Sequence, residues 1–255
     1  MSRTILEVSG LSMRFGGLLA VNGVGLNVKE KQVVSMIGPN GAGKTTVFNC
    51  LTGFYQPTSG EILLDGEAIQ GLPGHKIARK GVVRTFQNVR LFKDMTTVEN
   101  LLVAQHRHLD TGLLSGLLKT RAFRKSERAA MDFAAHWLEQ VNLTEVANRP
   151  AGTLAYGQQR RLEIARCMMT RPRILMLDEP AAGLNPKETE DLKALIGVLR
   201  DTHGVTVLLI EHDMKLVMSI SDHIYVINQG CPLANGTPEQ VRDNPDVIKA
   251  YLGEA

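Results

Sequence analysis

The junction between QVVSMI (32–37), GPNGAGKT (38–45) and the segment KTTVFNCLTGF that Lys44 opens constrains this chain more than any other feature. A short continuous apolar run ending in glycine reads as a strand buried on both faces of a parallel sheet, and the segment after the loop reads as a helix. Between them the spacing G-x-x-x-x-G-K-T lets Gly38, Gly41 and Gly43 curl the backbone until successive N–H groups point inward. The helix N-terminus adds its partial positive charge there. Such a cradle holds phosphate. Lys44 is spaced to reach the β- and γ-phosphates of a nucleotide, and Thr45 to offer a hydroxyl to Mg²⁺. A plain glycine-rich turn would leave the Lys-Thr pair without a reason.

A phosphate loop of this kind needs an acidic element on a neighbouring strand, and ILMLDEP supplies it, with four apolar residues ending in Asp178 and Glu179. Successive side chains on a strand leave by opposite faces, so the pair is expected to divide its work. Asp178 would serve the metal shell and Glu179 would poise the attacking water. His212 follows the run VTVLLIE at the mouth of another expected strand, where the crevice at strand C-termini is the usual ligand site, and it is placed to touch the γ-phosphate. Gln87 closes the strand-like GVVRTFQ (81–87). His106 and His108 are two apart and do not share a helix face.

The rest of the chain supports an α/β reading. ILEVSGL, VGLNVKE and EILLDGEAI are strand-like, and Asp65-Gly66 is a hairpin signal. From Thr96 the period changes: Thr96 and Glu99 have capping-box spacing, and SERAAMDFAAHWLEQV (126–141) repeats apolar residues at helical intervals. Strand and helix patterns then alternate from RILMLDE through HIYVINQG, the signature of a parallel sheet wrapped by helices. Near the end Thr237, Pro238 and Gln240 form a cap, first-position proline and capping-box set.

Bulk properties exclude several classes. With 29 basic against 26 acidic residues the chain lacks the basic footprint of a dedicated nucleic-acid binder, and RAFRKSER (121–128) reads as a solvated helix face. Cys50, Cys167 and Cys231 show no C-x-x-C spacing, which argues against zinc and disulfides and fits a reducing cytosol. No signal peptide is visible at the start. The most apolar runs, such as 205–210, fall short of the ~20 residues a spanning helix needs. Action at a membrane would require a partner to hold the chain there.

Taken together, the phosphate loop, Gln87, LAYGQQRRLEIAR, ILMLDEP, AGLN and EHD resemble, in order and spacing, an ATP-binding-cassette (ABC) ATPase along nearly the whole chain. The resemblance implies one cassette over residues 1–255, with a mixed, mainly parallel sheet core and an N-terminal antiparallel β-subdomain in 1–94 and 172–255. It also implies an inserted helical subdomain over 95–171. ATP contacts are implied from Phe15, Gly38, Pro39, Asn40, Gly41, Ala42, Gly43, Lys44, Thr45, Thr46, Gln87 and Asp178. Mg²⁺ would be held by Thr45, Gln87 and Asp178, and catalysis carried by Glu179, His212 and Lys44. Phe15 matches the aromatic that stacks on adenine, with a place in the strand core as its competing reading.

LAYGQ stands where the family has Leu-Ser-Gly-Gly-Gln, so Ala155, Tyr156, Gly157, Gln158 and Asn185 would serve a nucleotide on a facing cassette. A helix starting near Gly157 points N–H groups outward in agreement with that role. Ala155 lacks the serine hydroxyl, a loss of about 1.5–3 kcal/mol for a bond to a charged group. Tyr156 replaces a glycine and Asn185 an aspartate. Asn185, Pro186 and Glu188 also form a helix-capping set, and the capping and interface roles stand side by side.

The stretches VVRTFQNVRLFKDMTTVENLLVAQH, LNPKETEDL, EHDMKLVM and LANGTPEQVRDNPDVIKAYLGEA narrow the resemblance to the ATPases of bacterial high-affinity branched-chain amino-acid importers, with urea and short-amide transporters as related alternatives. The partners then implied are a second, distinct ABC ATPase, two integral membrane permeases and, indirectly, a periplasmic substrate-binding protein, at the cytoplasmic side of the inner membrane. Leu91 and Phe92 would floor the groove that receives a permease helix. A soluble ABC-type ATPase acting on nucleic acid is the reading from another class; such chains tend to carry long coiled coils between loop and signature, and only a modest helical insert intervenes here. A GTPase-like switch would need an Asn-Lys-x-Asp segment, which the sequence lacks.

Overall fold

The computed structural model describes residues 3–105 and 121–252. Among the described residues ten strands lie in two sheets: β1 (Thr4–Phe15), β2 (Leu18–Lys29), β3 (Val33–Ile37), β4 (Ser59–Leu64), β5 (Glu67–Ala68), β6 (Val82–Arg84), β7 (Ile174–Asp178), β8 (Thr206–Ile210), β9 (His223–Asn228) and β10 (Cys231–Gly236). The chain falls into two compact units, one of Met1–Gln87, Pro172–Ala182 and Thr189–Ala255, the other of Asn88–Arg171 and Gly183–Glu188. No helix among the described residues is long and apolar enough to cross a membrane.

The first unit holds both sheets. One is antiparallel, in the order β2-β1-β4-β5, and its long strands alternate buried and exposed residues, as half-covered strands must. Its hairpin turn is Asp65-Gly66, both at positive φ (54° and 79°), the two-residue turn whose twist matches the flanking strands. The other sheet runs β10-β9-β3-β8-β7-β6, parallel except for the antiparallel pair β9/β10. Every residue of β3, β7 and β8 is buried, which is why these segments are continuous apolar runs rather than alternating ones. Because β3, β8, β7 and β6 are parallel neighbours, the residues that follow them emerge along one edge of the sheet. That edge is where Gly38, His212, Glu179 and Gln87 stand.

Strand β6 is shorter than the sequence suggests. It ends at Arg84, three residues before Gln87, so Gln87 belongs to the turn beyond the strand rather than to its last rung. The phosphate-loop helix spans Lys44–Leu51 behind Gly43, whose φ is 98° and where a Cβ would come 2.7 Å from the Ala20 carbonyl. Gly38 is under tighter constraint, since a Cβ there would lie 2.0 Å from the Ile227 carbonyl of β9.

The second unit is helical, with Thr97–Gln105, Arg121–Gln140 and Tyr156–Met168 as its main helices. Thr96 caps the first: its N–H and hydroxyl both donate to the Glu99 carboxylate at 2.8 Å, and the Glu99 N–H returns to its hydroxyl at 3.3 Å. The second buries Ala130, Ala134, Trp137 and Leu138 on one stripe. Its first two turns carry exposed Arg121, Arg124, Lys125 and Arg128. His106 and His108 lie outside the described residues.

Candidate nucleotide site

A cleft of about 400 Å³ opens over the phosphate loop. Asn40, Gly41, Ala42, Gly43, Lys44, Thr45 and Thr46 form one wall, with Leu18, Leu19 and Ala20 beside them, and Glu179, His212, Gln229 and Gly230 complete the lining. The hairpin between β9 and β10 braces the loop: the Gly230 N–H donates to the Ala42 carbonyl at 3.0 Å, and the Asn22 N–H to the Gly230 carbonyl at 2.8 Å. Five residues expected at the site do not line this cleft. Gly38 is buried beneath the loop, Pro39 faces an adjoining hollow with Asp246 and Lys249, and Phe15, Gln87 and Asp178 are placed by other contacts.

Lys44 folds back on its own loop, its ammonium donating to the carbonyls of Gly38 at 2.7 Å and Pro39 at 2.9 Å. Burial lowers its pKa below the ordinary lysine value, against the pull of the Glu179 and Asp178 carboxylates. The charge is therefore poised inside the loop, a short swing from any phosphate the N–H groups receive.

The two adjacent carboxylates take separate surroundings. Asp178 is buried and forms an ion pair with Arg84, whose other terminal nitrogen donates to Asn49 Oδ1 at 2.6 Å. Glu179 turns to the cleft. Its backbone sits in the left-handed region at φ 48°, a strained conformation for a side chain of this size, held by its N–H on the Ile210 carbonyl at 2.9 Å. Gln87 Nε2 donates to Glu179 Oε2 at 3.0 Å, and His212 Nε2 lies 2.6 Å from Glu179 Oε1. Both carboxylate oxygens are thereby oriented, which is what a group that positions a water requires.

Glu211, unassigned by the sequence reading, organises this corner from below. Its buried carboxylate accepts the N–H groups of Ala181 at 2.6 Å and His212 at 2.9 Å, and burial pushes its carboxyl pKa up. It ties the turn after Glu179 to the backbone of His212. The signal was present: VTVLLIE ends an apolar run in a carboxylate just as ILMLDE does. Arg84 was equally visible as an arginine inside the apolar GVVRTF.

Phe15 ends β1 with 40 % of its surface exposed, so it is not a core residue, and its ring meets Tyr55 edge-on at 5.1 Å. An exposed aromatic face at this place is available to a base.

In the helical unit, Ala155 precedes the helix Tyr156–Met168, and no side chain caps the first turn. Gln158 uses its Oε1 to accept the Ala155 N–H at 3.1 Å, so only the return half of a capping box is made. Gly157 is buried, and a Cβ on it would come 2.3 Å from Glu188 Oε1. Tyr156 is exposed and lies over Gly183. Asn185 caps the next helix: its Oδ1 accepts the Glu188 N–H, and Glu188 Oε2 accepts the Asn185 N–H, both at 3.0 Å. Of its two readings the capping one is thus directly visible. Arg160 and Glu163 form a fully buried ion pair at 2.9 Å in the same helix, and Glu163 also accepts the Arg90 N–H at 3.3 Å.

Comparison with known proteins gives concordant results. The ABC transporter family model matches residues 21–182, and a second model, described as branched-chain amino acid ATP-binding cassette transporter, matches 231–255. The chain is 87 % identical over 255 residues, the whole of both chains, to the high-affinity branched-chain amino acid transport ATP-binding protein BraF of Pseudomonas aeruginosa. It is 70 % identical, again over the full length of both, to the corresponding protein LivG of Escherichia coli. Among solved structures it resembles the ADP conformation of MJ1267, an ATP-binding cassette of an ABC transporter, at TM-score 0.86 and 33 % identity, covering 99 % of this chain and all of that one. The dimeric cassette MJ0796 matches at TM-score 0.77 and 24 % identity over 92 % of this chain and 99 % of that one, a likeness of fold.

Proposed function

This chain belongs to the ABC transporter family of ATP-binding cassettes, and from that premise we propose that it is the ATP-hydrolysing motor subunit of a branched-chain amino-acid importer. The observation that carries the proposal is the convergence of the phosphate loop, Glu179 and His212 on one cleft, with both Glu179 oxygens oriented by neighbours. Identities of 87 % and 70 % along the whole chain to high-affinity branched-chain amino acid transport ATP-binding proteins support leucine, isoleucine and valine as the cargo.

The residues divide the chemistry as follows. Loop N–H groups between Gly38 and Thr46 and the Lys44 ammonium receive the β- and γ-phosphates, and Lys44 leaves the Gly38 and Pro39 carbonyls to do so. Phe15 offers its exposed ring to adenine. Glu179 accepts a hydrogen bond from the attacking water and His212 fixes the carboxylate that does so. The donor set fits Mg²⁺. A hydroxyl, a carboxylate and a side-chain amide oxygen are hard oxygen donors of the kind Mg²⁺ takes, with phosphate oxygens and water completing its shell. Thr45, Asp178 and Gln87 would hold it, and it would supply charge neutralisation at the phosphates.

Ala155, Tyr156, Gly157, Gln158 and Asn185 serve, in this reading, a nucleotide bound on a second, distinct ABC ATPase. A helix start without a side-chain cap supports that role. Leu91 and Phe92 floor the groove that receives a permease helix, and Phe92 is half exposed. The chain then works at the cytoplasmic side of the inner membrane, with a periplasmic binding protein delivering cargo to the permeases. Proteoliposomes holding this chain, its partner ATPase and the permeases test the reading. ATP inside and binding protein outside should drive leucine uptake, and Lys44→Ala in this chain should reduce it severely. ATP turnover indifferent to loaded binding protein, with no uptake, would overturn the proposal.

A further inference from the structure

Arg84 and Asp178 are the last residues of β6 and β7, parallel neighbours, and their side chains are 5 % and 4 % exposed. One terminal nitrogen of Arg84 pairs with Asp178 Oδ2 and the other donates to Asn49 Oδ1 at 2.6 Å. The guanidinium carbon lies 5.4 Å from the Phe48 ring centre and 5.6 Å from that of Phe86. Asn49 and Phe48 sit on the same helix as Lys44 and Thr45. A planar cation thus fills the space between the phosphate-loop helix and the carboxylate at the end of β7.

A buried ion pair is a poor source of stability, because desolvating two charges offsets most of their attraction. Its consequence here is electrostatic. Without Arg84 the buried Asp178 would have only the more distant Lys44 ammonium, which also serves Glu179, to offset its charge whenever the cleft holds no divalent cation, and Arg84 supplies a cation in direct contact. The same guanidinium repels a divalent ion arriving at that carboxylate.

We propose that Arg84 is the resident counter-cation of Asp178, a positioning residue that stabilises the carboxylate before nucleotide arrives and competes with the divalent cation that comes with it. The proposal rests on the reading of Asp178 as a metal-shell carboxylate.

Titration of the full-length chain with Mn²⁺ in the presence of ADP, following free Mn²⁺ by electron paramagnetic resonance, separates the possibilities. Arg84→Gln removes the charge while keeping a shorter amide donor, and should tighten Mn²⁺ binding about tenfold, whereas Arg84→Lys keeps the charge and should stay close to the parent. A merely structural Arg84 would leave Arg84→Gln with equal or weaker binding, and that result overturns the proposal. Asp178→Asn should weaken Mn²⁺ binding strongly. If it has no effect, the assignment of Asp178 to the metal shell fails instead. Should Arg84→Gln not fold, arginine-labelled NMR of the parent chain decides: the Arg84 guanidinium resonance should move on adding Mg²⁺ with ADP and not with ADP alone, and an unmoved resonance overturns the proposal.

Discussion

His212 Nε2 lies 2.6 Å from Glu179 Oε1, although the two residues are 33 positions apart in the chain. The contact exists because β7 and β8 are adjacent and parallel, so that the residues following them meet at one edge. Gln87 holds the second oxygen, and Glu179 keeps its left-handed backbone under that constraint. A carboxylate fixed at both oxygens and strained at its backbone is organised for a task.

Glu179→Gln should therefore keep nucleotide affinity within about twofold while slowing hydrolysis at least about a hundredfold, because the amide fills the same space without accepting a proton. Single-turnover hydrolysis and equilibrium nucleotide binding check both halves. A variant that turns over at the parent rate removes Glu179 as the base.

Gly38→Ala places its Cβ 2.0 Å from the Ile227 carbonyl, a backbone atom that cannot yield without moving β9. The expected cost is about 3 kcal/mol in denaturant unfolding, with nucleotide affinity lost in parallel. Gly41→Ala meets nothing within 4 Å, so only its positive φ of 77° penalises it, at about 1 kcal/mol. Equal destabilisation at the two positions would contradict the close approach.

At Gly157 the three atoms nearest an added Cβ all belong to the flexible Glu188 side chain, Oε1 first at 2.3 Å. Gly157→Ala should push that carboxylate off the Asn185 N–H and cost about 1 kcal/mol of stability. The cost should vanish in a Glu188→Ala background, where the return bond is already absent. Additive losses in the double variant would show that Gly157 is constrained by something else.

Glu211 predicts a pH dependence. Burial raises its folded-state pKa, so the folded chain holds that proton more tightly than the unfolded one. The stability contributed by this group is complete below the ordinary glutamate value and is lost as pH rises through the raised one. Glu211→Gln carries no such proton. Urea unfolding from about pH 4 to about pH 7 should show the parent losing stability relative to the variant, and a difference that stays flat with pH would refute it.

Much of the fold was legible because its causes are local. The continuous apolar runs at β3, β7 and β8 became strands buried along their whole length, Asp65-Gly66 became the expected hairpin turn, and Thr96 and Thr237 cap helices as their spacing suggests. The site was legible in part. The phosphate loop, Glu179 and His212 share a cleft, but Gln87 stands beyond its strand, and Phe15 is exposed against Tyr55.

Period, glycine spacing and cap chemistry act within a few residues, so they were sufficient for the phosphate loop, the strand and helix types and the α/β class. Sheet order is a different kind of information. Arg84 finds Asp178 across 94 residues, and Glu211 finds Ala181 across 30, only because β6, β7 and β8 lie side by side. Which charge neutralises which, and which oxygen of Glu179 meets which partner, follow from that order, since electrostatic and hydrogen-bond energies depend on distance through space and not along the chain.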